Sequence, residues 1–490
     1  MLFNSAAFLI FFPLVTAMYF AVFHQYRWIL LLVASCVFYM WFIPQYLLIL
    51  LGLIVIDYWA AILIEDSKEL GRKKYLISSI FATCLTLFVF KYFNFFSASF
   101  TQLAALLDLH YPPKVLGLIL PIGLSFHTFQ SLSYVIEVYW GRQKAERHFG
   151  IYALYVMFYP QLVAGPIERP QNLLHQFRER HFFDYARVVD GLKLMAWGMF
   201  KKVVIADRLA SFVNLVYDDP TSYHGPMFVL ATTFFAFQIY CDFSGYSDIA
   251  IGAAQVMGFR LMDNFNRPYF SKSIAEFWKR WHISLSSWFR DYIYIPLGGS
   301  RCGRWRWQAN LFLTFLISGL WHGANWTYVV WGALNGFYLM FGIWTSGLRG
   351  KIRRMIGIDR FSRPLKAWQV LVTFSLVSFA WIFFRAKDLN EALYIVGQLS
   401  RGWGDLSSIH REFEKHSTFN GFETTPKGIL FSIMLIVFLI CVHLVQRHGT
   451  IRRMLADRPG WVRWSFYYVL VLGMIIFGQY GKSQFIYFQF

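Results

Sequence analysis

A chain that passes again and again through about twenty consecutive apolar residues has few ways to fold, because each run spans a hydrocarbon layer as a helix. Such runs lie near 5–23, 28–43, 46–64, 75–95, 115–139, 151–166, 190–213, 226–258, 308–320, 325–347, 366–385, 428–446 and 464–480. About eleven to thirteen membrane helices are expected, and the short or polar runs among them need not cross. Lipid offers no partner for a backbone N–H or C=O, so the fold class that follows is an all-α polytopic membrane protein.

Composition agrees. Hydrophobic residues make up 57% of the chain and charged residues only 15%, too few charges for a surface facing water throughout. Phe, Tyr and Trp reach 20%, which suits tall apolar walls and interfacial belts. The formal charge of +19 is carried by short loops between apolar runs rather than by one basic face, which excludes nucleic acid as a partner and leaves the lipid bilayer. Cys36, Cys84, Cys241, Cys302 and Cys441 are scattered, with no spacing for a disulfide framework or a metal site. The first run, Leu9 to Phe23, lacks a basic leader and a small-residue cleavage site, so it is expected to be retained as a helix.

Basic loops beside membrane helices stay in the cytoplasm. Lys68–Lys74, Gly141–His148, Arg349–Lys366 and Arg447–Arg463 therefore point to a multi-pass protein of the cytoplasmic (inner) membrane with its N-terminus outside. Residues 386–427, the longest polar stretch, are expected to form an external loop or cap. Nothing Gly-, Pro- or Ser-rich divides the chain, so residues 1–490 are expected to form a single membrane domain.

Between Tyr240 and Trp331 the apolar pattern fails. The pieces are C-D-F-S-G-Y-S-D at 241–248, N-F-N-R-P-Y at 264–269, F-W-K-R-W-H-I-S-L-S-S-W-F-R-D at 277–291 and L-W-H-G-A-N-W at 320–326. Ionisable groups at membrane depth cost at least ~2.5 kcal/mol, so they pair or line a wet cavity. Trp278, Trp281, Leu285 and Trp288 recur at helical spacing, which predicts an amphipathic or re-entrant helix over Phe277–Asp291, ended by Pro296, Gly298 and Gly299. Asp242 and Asp248 are expected to form a buried ion-pair network with Lys279, Arg280 or Arg290 that fixes helix packing. Glu168 and Arg169, after A-G-P-I, sit at a helix break.

His322 stands beside Trp321 in an otherwise apolar run. Imidazole is the side chain best suited to take a hydroxyl proton near neutral pH. Gly323 would let a substrate approach the backbone closely. Asn325 and Asn335 can orient the ring or donate to a developing oxyanion, and they can equally cap or bridge neighbouring helices. No G-x-S-x-G, P-loop or dinucleotide fingerprint is present, which removes the serine hydrolase, nucleotide hydrolase and dinucleotide readings.

These strings together resemble the membrane-bound O-acyltransferase (MBOAT) family, in its bacterial branch that contains the alginate O-acetyltransferase membrane subunit. The resemblance also takes in P-I-G-L-S-F-H-T-F-Q-S-L-S-Y-V-I-E-V-Y at 121–139, P-Q-L-V-A-G-P-I-E-R-P at 160–170 and the terminal Q-F-I-Y-F-Q-F at 484–490. It departs from the family pattern at His127, where a bulky aromatic is usual. The resemblance implies an MBOAT-like helical fold with re-entrant segments, in which cytoplasmic and external cavities meet at a histidine. His322 matches the family's invariant histidine and His282 the second histidine of this branch.

The implied reaction is O-acetyl transfer, with acetyl-CoA as the donor substrate and no permanently bound cofactor or metal. His322 would serve as general base, and His282 would position or polarise the thioester, with Asn325 as a candidate helper; the two histidines can exchange roles. The implied partners are an extracytoplasmic SGNH-type esterase-like protein and a polysaccharide acceptor: an exopolysaccharide such as alginate or cellulose, or peptidoglycan. Two alternatives stand beside this: D-alanyl transfer from a carrier protein to teichoic acid, and a non-catalytic transporter or flippase.

Overall fold

The computed structural model describes residues 1–109, 111–357, 362–404, 422–480 and 485–486. Among them the secondary structure is helical, with no strand. Six helices are long and apolar enough to cross a membrane: Tyr46–Asp66, Glu69–Leu106, Gly225–Met257, Arg363–Arg385, Pro426–His448 and Gly460–Phe477. Ala6–Ala21 is apolar but shorter. Other apolar runs form shorter or interrupted helices, among them Arg27–Met40, Leu124–Tyr139 and Phe149–Met157.

Local chemistry sets the boundaries. Ser5 opens Ala6–Ala21 by accepting from the Phe8 amide, and Thr425 does the same for Gly428 at the start of Pro426–Val445, whose first residue is proline; Ser and Thr caps satisfy amides that a helix cannot pair itself. Within the expected run 115–139 the helix begins only at Leu124, behind Gly123 at φ +78°. A Cβ at Gly123 would sit 3.1 Å from the Leu162 carbonyl and 3.2 Å from the His127 ring, so both conformation and space call for glycine.

The chain packs as two compact units, one chiefly of Met1–Met195 with Tyr246–Asp263, the other of Ala196–Gly245 with Asn264–Gln489. In the first unit the helices Tyr46–Asp66, Glu69–Leu87 and Leu124–Tyr139 pack together. Asp57, fully buried among them, accepts from the hydroxyls of Ser79 and Ser131, which supply the hydrogen bonds that lipid cannot. Glu168 is likewise fully buried in this unit and accepts from the Met262 amide and the Asn172 side chain, and His127 lies buried with its ring 5.9 Å from that of Tyr39.

The second unit carries the motif-rich stretch. Its expected single helix over 277–291 is instead broken: Ile274–Trp278, a turn, Ile283–Phe289, and a π-helical turn over Arg290–Tyr294. The break falls at His282, whose backbone is left-handed (φ 44°, ψ 56°) and cannot continue a right-handed helix. Gly298 and Gly299 both have positive φ in the turns that follow. Of the expected loop 386–427, Leu389–Gln398 is a helix capped by Asp388, and residues 405–421 lie outside the described residues.

Candidate active site

His322 is the last residue of the helix Arg304–His322, and the antiparallel helix Trp326–Trp344 follows at once. The two backbones approach through paired glycines. A Cβ at Gly319 would fall 2.3 Å from the Tyr328 carbonyl oxygen, and one at Gly332 would fall 2.4 Å from that of Phe315. Small residues are what allow membrane helices to pack this closely, and the hairpin fixes His322 three residues beyond the contact.

The His322 ring is buried, and its Nδ1 lies 2.7 Å from the Ser318 carbonyl oxygen. A carbonyl only accepts, so Nδ1 carries the hydrogen and the lone pair is on Nε2, the tautomer a proton acceptor needs. Three aromatic rings pack around the imidazole: Trp331 at 4.8 Å, Trp321 at 4.9 Å and Phe384 at 5.6 Å between centroids. They hold its plane and exclude water, which strengthens any electrostatic interaction made there.

His282 is 1% exposed and sits at the N-terminus of Ile283–Phe289, edge-on to Phe243 with ring centroids 4.6 Å apart. An aromatic chain joins the surroundings of the two histidines: His322 to Trp331, Trp331 to Trp381 at 5.8 Å and nearly parallel, and Trp381 to Trp281 at 5.3 Å, one residue from His282.

For Asn325 and Asn335 the structure shows the capping and bridging alternative. Asn325 caps Trp326–Trp344 by accepting from the Thr327 amide at 3.0 Å, and its Nδ2 donates to the Lys387 carbonyl at 2.8 Å. Asn335 accepts from Trp278 Nε1 and donates to the Trp331 carbonyl, bridging two segments of the site. Above Gly323 there is no space for a substrate to approach the backbone: a Cβ there would lie 2.1 Å from the Tyr328 ring, so glycine accommodates that ring. Trp321 belongs to the wall around His322.

The expected ion-pair network needs correction. Asp242 is paired with Lys202 at 2.5 Å, a lysine that also contacts Asp207 at 2.8 Å, and its second oxygen accepts from the Ile486 amide. Lys202 lies in a π-helical turn, Lys201–Ala206, forty residues before its partner, so chain proximity to Lys279, Arg280 and Arg290 was misleading. Those three stay at or near the surface: Arg280 pairs with Glu276 one helical turn away, Arg290 with adjacent Asp291, and Lys279 is exposed. Asp248 belongs to the other unit. Ser318, Gly319, Gly332, Trp331, Trp381 and Phe384 build the surroundings of His322, and the sequence pattern does not mark them. The G-x-x-x-x-x-x-x-x-x-x-x-x-G separation of the two glycines becomes meaningful only once the hairpin is known.

Among the described residues the chain is helical with several candidate membrane spans, and it buries both His322, with Nε2 left to accept, and His282. The chain belongs to the membrane-bound O-acyltransferase family, which it matches over residues 148–385, a stretch that includes both histidines, and it is an O-acyltransferase. It is 40% identical to a protein of Pseudomonas aeruginosa named "Probable alginate O-acetylase AlgI", over 84% of this chain and 77% of that one. It is 33% identical to the peptidoglycan O-acetyltransferase of Helicobacter pylori over 94% of this chain and 91% of the relative. A more distant relative is the teichoic acid D-alanyltransferase of Bacillus subtilis, 25% identical over 70% and 86% of the two chains. Membership in this family sets aside the transporter and flippase readings.

Proposed function

We propose that this protein is a cytoplasmic-membrane O-acetyltransferase that takes an acetyl group from acetyl-CoA at the cytoplasmic face and passes it to a hydroxyl at the external face. The acceptor hydroxyl belongs to an extracytoplasmic SGNH-type partner or directly to a glycan. Relatives at 33–40% identity carry names that refer to alginate and to peptidoglycan, which supports a glycan pathway. The observation that carries the mechanism is the 2.7 Å contact of His322 Nδ1 with the Ser318 carbonyl, which leaves Nε2 as acceptor.

In this reading Nε2 of His322 takes the acceptor's hydroxyl proton as that oxygen attacks the thioester carbon. The tetrahedral intermediate collapses with cleavage of the C–S bond, and the imidazolium returns its proton to the departing CoA thiolate, so atoms and charge balance. The Ser318 carbonyl stays hydrogen-bonded to Nδ1–H throughout. His282 polarises the thioester carbonyl from its buried position, where a hydrogen bond to developing charge is worth more than in water.

Purified protein in proteoliposomes, given labelled acetyl-CoA and an SGNH-type partner, should release CoA and acetylate the partner. His322→Ala should lower that rate by on the order of 1,000-fold, the scale of a lost general base, with unchanged melting behaviour in detergent. Wild-type rates from this variant would remove His322 from the mechanism. Transfer only when a charged carrier protein replaces acetyl-CoA would favour the D-alanyl reading that the Bacillus relative keeps in view.

A further inference from the structure

The feature that stands out against the rest of the second unit is the backbone of His282. Among the described residues only Asp108, Arg267 and His282 are non-glycine residues with positive φ, and a buried histidine holds such a conformation only where its surroundings enforce it. His282 is also the N-cap position of Ile283–Phe289, yet its side chain makes no capping hydrogen bond. The amides at that helix start must be satisfied by something else.

Asn264 satisfies the first two of them. The Ile283 amide donates to the Asn264 backbone carbonyl at 2.9 Å, and Asn264 Oδ1 accepts from the Ser284 amide at 3.3 Å and from the Ser284 hydroxyl at 2.9 Å. On the other side of His282, the Asn266 amide donates to the Arg280 carbonyl at 2.9 Å. Phe265, between the two asparagines, packs at 5.1 Å on both Trp281 and Phe243, and Phe243 is the ring that faces His282. Asn264 itself is 1% exposed.

We propose that Asn264 is a positioning residue for His282: it caps the helix from a separate segment, so that the imidazole is relieved of the capping role its position would otherwise give it and is held toward the reaction. The N-F-N piece at 264–266 thereby has a stated task. A capping asparagine in the chain's own N-cap position would accept from the second or third helical amide; Asn264 makes the first kind of bond, to Ser284, from outside the helix. The inference rests on His282 acting in acetyl transfer.

A double-mutant cycle tests it in full-length protein reconstituted with acetyl-CoA and an SGNH-type partner. Asn264→Ala should lower kcat by on the order of 100-fold, the effect of a misplaced catalytic group, while KM for acetyl-CoA changes by less than about threefold because donor binding is not what is lost. Added to His282→Ala it should cause no further loss, since a residue that works through His282 has nothing left to position. Asn264→Asp keeps the accepting oxygen and should restore activity to within about tenfold of wild type, as a cap of equal rank. Ser284→Ala, which deletes the hydroxyl bond to Asn264 Oδ1 and keeps the amide bond, should show the same pattern with a smaller kcat loss, and it decides the matter should Asn264→Ala not fold. Independent, multiplying losses in the double variant, or full activity of Asn264→Ala beside an inactive His282→Ala, would overturn the positioning role alone. Full activity of His282→Ala would overturn the assignment of His282 and this inference with it.

Discussion

Asn325 and Gly323 flank the candidate base in the chain, and both turn out to serve packing. If Asn325 acts as a helix cap, Asn325→Ala should cost about 1 kcal/mol of stability, the usual worth of such a cap, and leave kcat within a fewfold of wild type; Asn325→Asp should be neutral in both. Thermal unfolding followed by size-exclusion fluorescence, paired with turnover, checks this, and a kcat loss without a stability change would return Asn325 to the oxyanion role. Glu168 offers a pH test. Burial raises its carboxyl from the ordinary value to about 7, outweighing hydrogen bonds from the Met262 amide and Asn172 and the charge of Arg169. Because the folded-state value lies above the unfolded one, the stabilisation is complete below about pH 4.5 and is lost as pH rises through about 7. Stability should therefore fall between pH 5 and pH 8 by on the order of 3 kcal/mol at most, seen as a lower melting temperature, and Glu168→Gln should flatten that slope. Neither environment was visible in the sequence, because burial depends on residues as far apart as Glu168 and Met262.

The helical hairpin of Arg304–His322 and Trp326–Trp344 is the element on which the base depends. Gly319→Val would drive a Cβ into the space 2.3 Å from the Tyr328 carbonyl oxygen, and overpacking of this kind costs about 1–3 kcal/mol even where the structure can shift. The expected result is a lower melting temperature together with a large fall in kcat, since separating the helices carries His322 away from Trp331 and Phe384. An active, equally stable Gly319→Val would show that the hairpin contact is dispensable. The π-helical turn at Lys201–Ala206 has a comparable part, because it turns Lys202 toward Asp207 and Asp242. Lys202→Met would leave buried carboxylates without their cation, a change that typically costs about 3–5 kcal/mol, so folded protein should become hard to recover. Periodicity revealed that helices exist here but not the π turn, the break at His282 or the glycine contact, which are decisions of packing rather than of residue type.

For the molecule in its membrane, the charge asymmetry of the loops makes a directional claim. With Lys68–Lys74 and Gly141–His148 in the cytoplasm, a cysteine introduced by Leu107→Cys should react with a membrane-impermeant thiol reagent added outside intact cells. One introduced by Gln143→Cys should react only after the membrane is opened. Reversed labelling would invert the path proposed for the acetyl group, from cytoplasmic donor to external acceptor.

Membrane residence, helical class and family were legible in the linear sequence, which also offered His322 and His282 as candidates, because apolar run length, charge placement and motif strings are local properties that survive without a fold. What acts on those histidines was not. The partner of Asp242 is Lys202 rather than any of the nearer cations in the motif, the tautomer of His322 comes from a carbonyl one turn away, and the cap of the His282 helix comes from Asn264. Each is a choice among chemically equivalent candidates, and only the folded chain makes it, since hydrogen bonds and buried ion pairs form over a few ångströms whatever the separation in sequence.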